Sequence, residues 1–235
     1  AISLALSRKR RLKERSFEKF LMVLRLKPAQ RNYLQHLYKI SEADNAAERI
    51  ESLRKIQNIQ QYRKTNFKEV QVFNYLSNWL NVVIREMANL KDFDRDPTSI
   101  KKQLNFLTDL KKIKKSDNFL FNEKLLEEKD GKIVQGDSQI ICDANVFKLS
   151  LLDFHRQMLS LATEALGKQS PDERFVEGYT FAIKRDDIAK LNQILSEALE
   201  KIESLEAKSS EGDHVYHAFV GSFQVSKSAS LKQKK

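Results

Sequence analysis

The side chains best able to do chemistry in this chain are cations gathered in two runs, Ser7-Arg8-Lys9-Arg10-Arg11-Leu12-Lys13 and Lys111-Lys112-Ile113-Lys114-Lys115-Ser116-Asp117-Asn118. Cations gathered on one surface neutralise phosphates and release condensed counterions, which gives a salt-sensitive affinity for a polyanion. Arg8, Lys9, Arg10 and Arg11 in the first run, and Lys111, Lys112, Lys114 and Lys115 in the second, are the candidate phosphate contacts. Reading a base sequence asks for more: side chains on an element that fits the major groove, with Asn or Gln suited to adenine and Arg or Lys to guanine. Asn118 is the amide in the second run, so positioning is better supplied than specificity. Lys132, beside Asp130-Gly131, is a further candidate for an adjacent phosphate or groove.

Any one lysine run taken alone is more often the solvated face of an ordinary helix. The charge distribution favours the other reading here. Of the formal net charge of +10, residues 1–40 carry +9 and residues 41–149 carry +2, while residues 150–226 carry −5 and residues 227–235 carry +4. The amino end suits a polyanion and the carboxy-terminal third, apart from its tail, does not. Charge alone does not separate DNA from RNA, because both backbones attract lysine.

Catalytic chemistry has little to build on. The sequence holds no Gly-rich phosphate loop, no HExxH pair and no G-x-S-x-G elbow, and its six glycines are scattered. His155 reads as a packed or surface histidine, and His214 and His217, three apart on an expected strand, fall on opposite faces and cannot chelate one ion together. Cys142 reads as a small buried hydrophobe, and Trp79, spaced among aliphatics, as core. The expectation is a non-enzymatic protein with no catalytic residues, no metal and no cofactor.

The elements that must position these residues follow from composition and periodicity. With 235 residues, 31% of them charged, six glycines and three prolines, the chain is a soluble type rich in long helices. No apolar run reaches the roughly 18 residues of a membrane span, and the single cysteine excludes an internal disulfide, so a cytoplasmic protein with no membrane contact is expected. A helix over 16–26 is capped by Ser16, Pro28 opens the next, and residues 44–64 read as a solvent-facing connecting helix. The spacing of Val70, Phe73, Leu76, Leu80, Ile84 and Met87 predicts one strong helix over 68–90. Asp96-Pro97-Thr98 starts a short helix carrying Ile100 and Leu104, Thr108 caps another, and Asp130-Gly131 turns a hairpin, so three helices and a hairpin make a winged helix. Beyond it come a helix from 149 to Leu166, a strand at Tyr179–Ile183, a long helix over 186–207 and a strand at Val215–Val225.

The expected fold class is thus mostly α with a smaller α/β part. Its regions are a helical remnant with its connecting helix over 1–66, a winged-helix-like domain over 67–148, a C-terminal α-β-α-β module over 149–226 and a basic tail over 227–235.

Several stretches are also familiar. LALSRKRRLKERSFEKFLMVLRLKPAQRNYLQHLYKI resembles the second half of a Cro/repressor-like helix-turn-helix domain. FNYLSNWLNVVIREM with the later DGK, FHRQMLSLATEAL and DHVYHAFVGSFQVSK together resemble a largely uncharacterised family of bacterial transcriptional regulators. The resemblance implies an amino-terminal helix-turn-helix, a central winged-helix-like region and a carboxy-terminal module without assigned chemistry. It also implies that this chain starts inside the first recognition helix, which makes the central winged helix the better candidate for the DNA contact. The combined expectation is a DNA-binding transcriptional regulator on double-stranded DNA, acting as a homodimer, with a small-molecule or protein effector at the C-terminal module. The alternative is a protein-interaction or scaffold protein that keeps this architecture without its DNA reader.

Overall fold

The computed structural model describes residues 12–136, 144–206 and 212–227. The first four helices among the described residues are α1 (Glu14–Val23), α2 (Pro28–Glu42), α3 (Ala46–Gln57) and α4 (Gln60–Thr65). Proline at the first position opens α2, where the missing N–H costs nothing. The backbone N–H of Lys27 donates to Gln30 Oε1 at 3.1 Å. α1 begins at Glu14 with Lys13 at its cap, ahead of the expected Ser16 cap. Phe17 stacks on Tyr38 of α2 with ring centroids 4.1 Å apart, which fastens the two helices together.

The expected solvent-facing connecting helix is two helices, and α3 is a core element. Ile50, Leu53 and Ile56 are buried against α2 and against the long helix further on. The every-third-residue spacing is narrow, yet it is wide enough for a helix held between two neighbours, and Asn45 caps it by accepting from the Ala47 N–H at 2.8 Å.

Next come α5 (Phe67–Leu76), α6 (Trp79–Met87), α7 (Pro97–Gln103), α8 (Leu110–Asn122), the strands β1 (Leu126–Lys129) and β2 (Lys132–Gln135), α9 (Ala144–Lys168) and α10 (Ile188–Glu206), the last preceded by a 3-10 turn at Arg185–Asp187. The single helix expected over 68–90 breaks at Ser77-Asn78. Asn78 accepts from the Leu80 N–H at 3.3 Å, and Gln157 of α9 reaches into the break, donating to the Leu76 carbonyl at 3.1 Å and accepting from the Trp79 N–H at 2.9 Å. One carboxamide thus satisfies an orphan acceptor and an orphan donor of the interrupted helix. α7 stops at Gln103, leaving Leu104 extended just past its end.

β1 and β2 are antiparallel, with Lys129 opposite Lys132 across Asp130 (φ 53°) and Gly131 (φ 74°), the positive angles of the expected two-residue turn. Gly136 ends the hairpin against the Lys124 carbonyl, so close that a Cβ would lie 2.1 Å from that oxygen.

Two cores result. One gathers Leu80, Ile84, Ile100, Ile113, Leu120 and Leu126 with Phe154 and Met158; the other holds Leu53, Ile56, Tyr62, Val70, Phe73 and Val146. α5 and α9 contribute to both. α9 starts at Ala144, ahead of the start near 149 that its periodicity indicates.

The fold is mostly α with a small β-containing part, as the sequence indicates. In the carboxy-terminal third the helices form, but Tyr179–Ile183 and Val215–Val225 run without a ladder. Their alternating apolar residues are mostly open to solvent, and a strand pattern forms a strand only where a second edge lies alongside.

Candidate nucleic-acid interface

α8 has two opposed sides. Ile113, Ser116, Asp117 and Leu120 are buried, whereas Lys111, Lys112, Lys114, Lys115 and Asn118 are exposed. At about 100° per residue, Lys111, Lys114, Lys115 and Asn118 form one stripe opposite the buried side, with Lys112 at its margin. Lys112 Nζ lies 3.8 Å from Asp109 Oδ2. The helix is capped by Asp109, whose Oδ1 accepts from the Lys112 N–H at 2.7 Å, rather than by the expected Thr108. The carboxylate both satisfies an end N–H and meets the positive end of the helix dipole.

The buried side is fixed by specific partners. Arg95, in the loop before α7, donates to both carboxylate oxygens of Asp117 at 2.8 and 2.9 Å, and its guanidinium carbon lies 3.6 Å from the centroid of the Phe121 ring. Asn78 donates to Ser116 Oγ at 2.8 Å, tying α8 to the start of α6. A planar fork bonded to a carboxylate and laid on an aromatic face holds rotation about the helix axis more tightly than a lysine would. That rotation decides which residues face outward.

Lys132 is exposed at the first position of β2. The hairpin is not uniformly basic: Glu127, Glu128 and Asp130 accompany Lys129 and Lys132, and Lys129 Nζ lies 3.4 Å from Glu127 Oε2. Sequence reasoning missed Lys101 and Lys102, both exposed on α7, which packs on α8. Their signal was present in the run Ile100-Lys101-Lys102, where the buried isoleucine fixes which way its neighbours point. It also missed Arg95, whose role depends on a partner 22 residues away.

Arg8, Lys9, Arg10, Arg11 and Cys142 lie outside the described residues. Among the described cations of the amino-terminal region, Arg31 pairs with Glu18 at 3.0 Å and Lys39 with Glu48 at 2.8 Å. Hydrogen bonding and attraction from Glu48 raise the Lys39 pKa above its usual value. Part of that region's positive charge is therefore matched within the fold.

The remaining singled-out residues pack. Trp79 is half-buried and meets Phe106 edge-on at 6.1 Å. His155 lies 6.2 Å from the Phe219 ring, and His217 meets Phe154 edge-on at 5.8 Å, while His214 faces Tyr216 at 6.4 Å. His214 and His217 thus have different neighbours, although their segment is not a strand. Arg54 and Asp153, paired at 2.7 Å, cross a cleft of about 520 Å³ between α3 and α9 that Arg156 and Glu51 also line.

α6, α7 and α8 followed by the hairpin, with α8 turning a lysine stripe outward, define a mostly helical protein with one small two-stranded sheet among its described residues. The chain belongs to the family of DUF4423, a domain of unknown function that matches residues 64–225, from the end of α4 through the extended segment after α10. No curated protein and no solved structure matches the chain. No helix among the described residues is long and apolar enough to cross a membrane.

Proposed function

We propose that this chain is a non-enzymatic, DNA-binding transcriptional regulator that acts as a dimer and contacts duplex DNA through α8. The observation that carries the reading is the stripe of Lys111, Lys114, Lys115 and Asn118 on the exposed side of a helix whose opposite side is locked by the Arg95–Asp117 pair. The second helix of a helix-turn-helix pair is the element that enters a major groove, with the first helix crossing the backbone. Lys101 and Lys102 on α7 then supply backbone contacts, and Lys132 reaches a flanking phosphate. Two copies of α8 about 34 Å apart would meet successive half-sites of one duplex face.

The test is binding of a fluorescent duplex of mixed sequence to the wild type and to a variant with Lys111, Lys114 and Lys115 changed to alanine together with Lys112. The expected result is affinity at least about tenfold weaker for the variant at about 0.1 M salt, with an unchanged fold by circular dichroism. Equal affinities would remove α8 from the reading. Absence of duplex binding by the wild type even at low salt would favour the protein-interaction alternative.

A further inference from the structure

α10 spans 19 residues and none of its described side chains is buried. Beyond the 3-10 turn that leads into it, it packs closely on no other element among the described residues. A lone helix of this length is marginal in water, so a helix with this pattern is held by packing along its apolar side. That side is a seam: Ile188, Leu195 and Ile202 recur every seven residues, and Leu191, Ala198 and Leu205 recur every seven between them. Such a repeat, averaging about 3.5 residues, is the geometry in which a helix pairs with another of its kind.

The segments on either side of α10 are incomplete in a matching way. Over 174–183 and 213–227 the backbone makes no backbone–backbone hydrogen bond among the described residues. Both segments alternate apolar residues with period two. Tyr179 and Phe181 stack at 5.3 Å on one side of the first, and His217 and Phe219 lie on α9 from one side of the second. Exposed aromatics crowd both: Phe175, Tyr179, Phe181, Tyr216, Phe219 and Phe223 range from 46% to 87% open. At roughly 200 Å² for a full aromatic side chain, these six alone present on the order of 800 Å². That is about what one partner contributes to a standard stable interface.

We propose that a second copy of this chain completes the carboxy-terminal module. The extended segments 175–183 and 215–225 form a ladder with those of the partner copy, and the two α10 helices pair with each other along their heptad seams. A second copy is the occupant because it carries both a complementary seam and free strand edges, so each patch meets its equivalent across a two-fold axis. The family match, over residues 64–225, takes in both segments and the helix between them. The inference deepens the dimeric part of the proposed function, names its surface, and does not depend on DNA contact.

The experiment uses the full chain without DNA. Sedimentation velocity at micromolar concentration is expected to give twice the 27.4 kDa of one chain. Hydrogen exchange is expected to show protected amides over 175–183 and 215–225, which a single chain leaves unpaired. The variant Leu195→Glu with Ile202→Glu is expected to weaken association by roughly thirtyfold or more, and to expose those amides while amides of α8 stay protected. A monomer with those amides in fast exchange overturns the proposal, as does a dimer whose amides there stay unprotected. A dimer that fails to bind duplex leaves this proposal standing and removes the DNA reading; a monomer that binds duplex does the reverse.

Discussion

Asp117 carries more of the candidate interface than any lysine on it, because its carboxylate, only 10% exposed, sets which way α8 is turned. Changing Asp117→Ala leaves a charged guanidinium without its bidentate partner. The expected cost, for hydrogen bonds to a charged group at a partly open site, is about 1–3 kcal/mol in a urea melt. Arg95→Lys is expected to recover little of it, since an ammonium neither forks across both oxygens nor lies flat on Phe121. The histidines give a second outcome at this scale. Burial, and then repulsion from Lys55 and Lys39, holds His36 below its ordinary value of about 6.5; burial and the neighbouring His155 do the same to His217. Each binds fewer protons folded than unfolded, so stability rises with pH through this window and is lost as pH falls below about 6.5. Asp94 and Glu173, lowered by hydrogen bonds from serines and backbone N–H groups, act only at more acidic pH. The melting temperature is expected to be lower at pH ~5.5 than at pH ~7.5, and the double variant His36→Gln/His217→Gln to flatten the difference. A rise on acidification would contradict the assignment. Among residues, the lysine stripe and Asn118 are legible in the sequence because a helical period across one short run fixes a face. Arg95 and the histidine environments are not, because their partners are distant in sequence.

At the scale of elements, the junction between α5 and α6 shows how a local signal is overruled. The apolar spacing across 68–90 is continuous, and nothing at Ser77-Asn78 forbids a helix. Gln157 bridges the break, its amide group serving both ends of the gap from a helix far along the chain, beside the Asn78 cap. Gln157→Leu is expected to cost about 1–3 kcal/mol through two backbone groups left unsatisfied. A change below a few tenths of a kcal/mol in chemical denaturation would show that the break is set by Asn78 alone. The hairpin lies within reach of the sequence since its turn chemistry is local, Asp130 and Gly131 both taking positive φ. The strands expected at Tyr179–Ile183 and Val215–Val225 rest on a real alternation, but pairing is a property of two edges and the pattern of one segment does not supply the second. The narrow stripe of α3 reads as that of a solvated connector; its burial comes from α2 on one side and α9 on the other, neither visible in its own spacing.

For the molecule as a whole, the charge asymmetry is the feature most directly read from the sequence. Positive charge is concentrated toward the amino end, and many apolar residues beyond α9 remain open in the single chain. That division fits a protein that meets a polyanion with one part and its own copy with the other. The mostly helical class and the order of elements through the hairpin are available from periodicity and composition, while the sharing of α5 and α9 between two cores is not.

The most direct measurement of the central claim is the slope of log affinity for duplex DNA against log salt, for the wild type and for the variant with alanine at 111, 112, 114 and 115. Each phosphate contact contributes about 0.9 to that slope, so the variant is expected to be shallower by roughly 3 to 4. Parallel lines for the two proteins would contradict the account, because the four lysines of α8 would then lie away from the DNA.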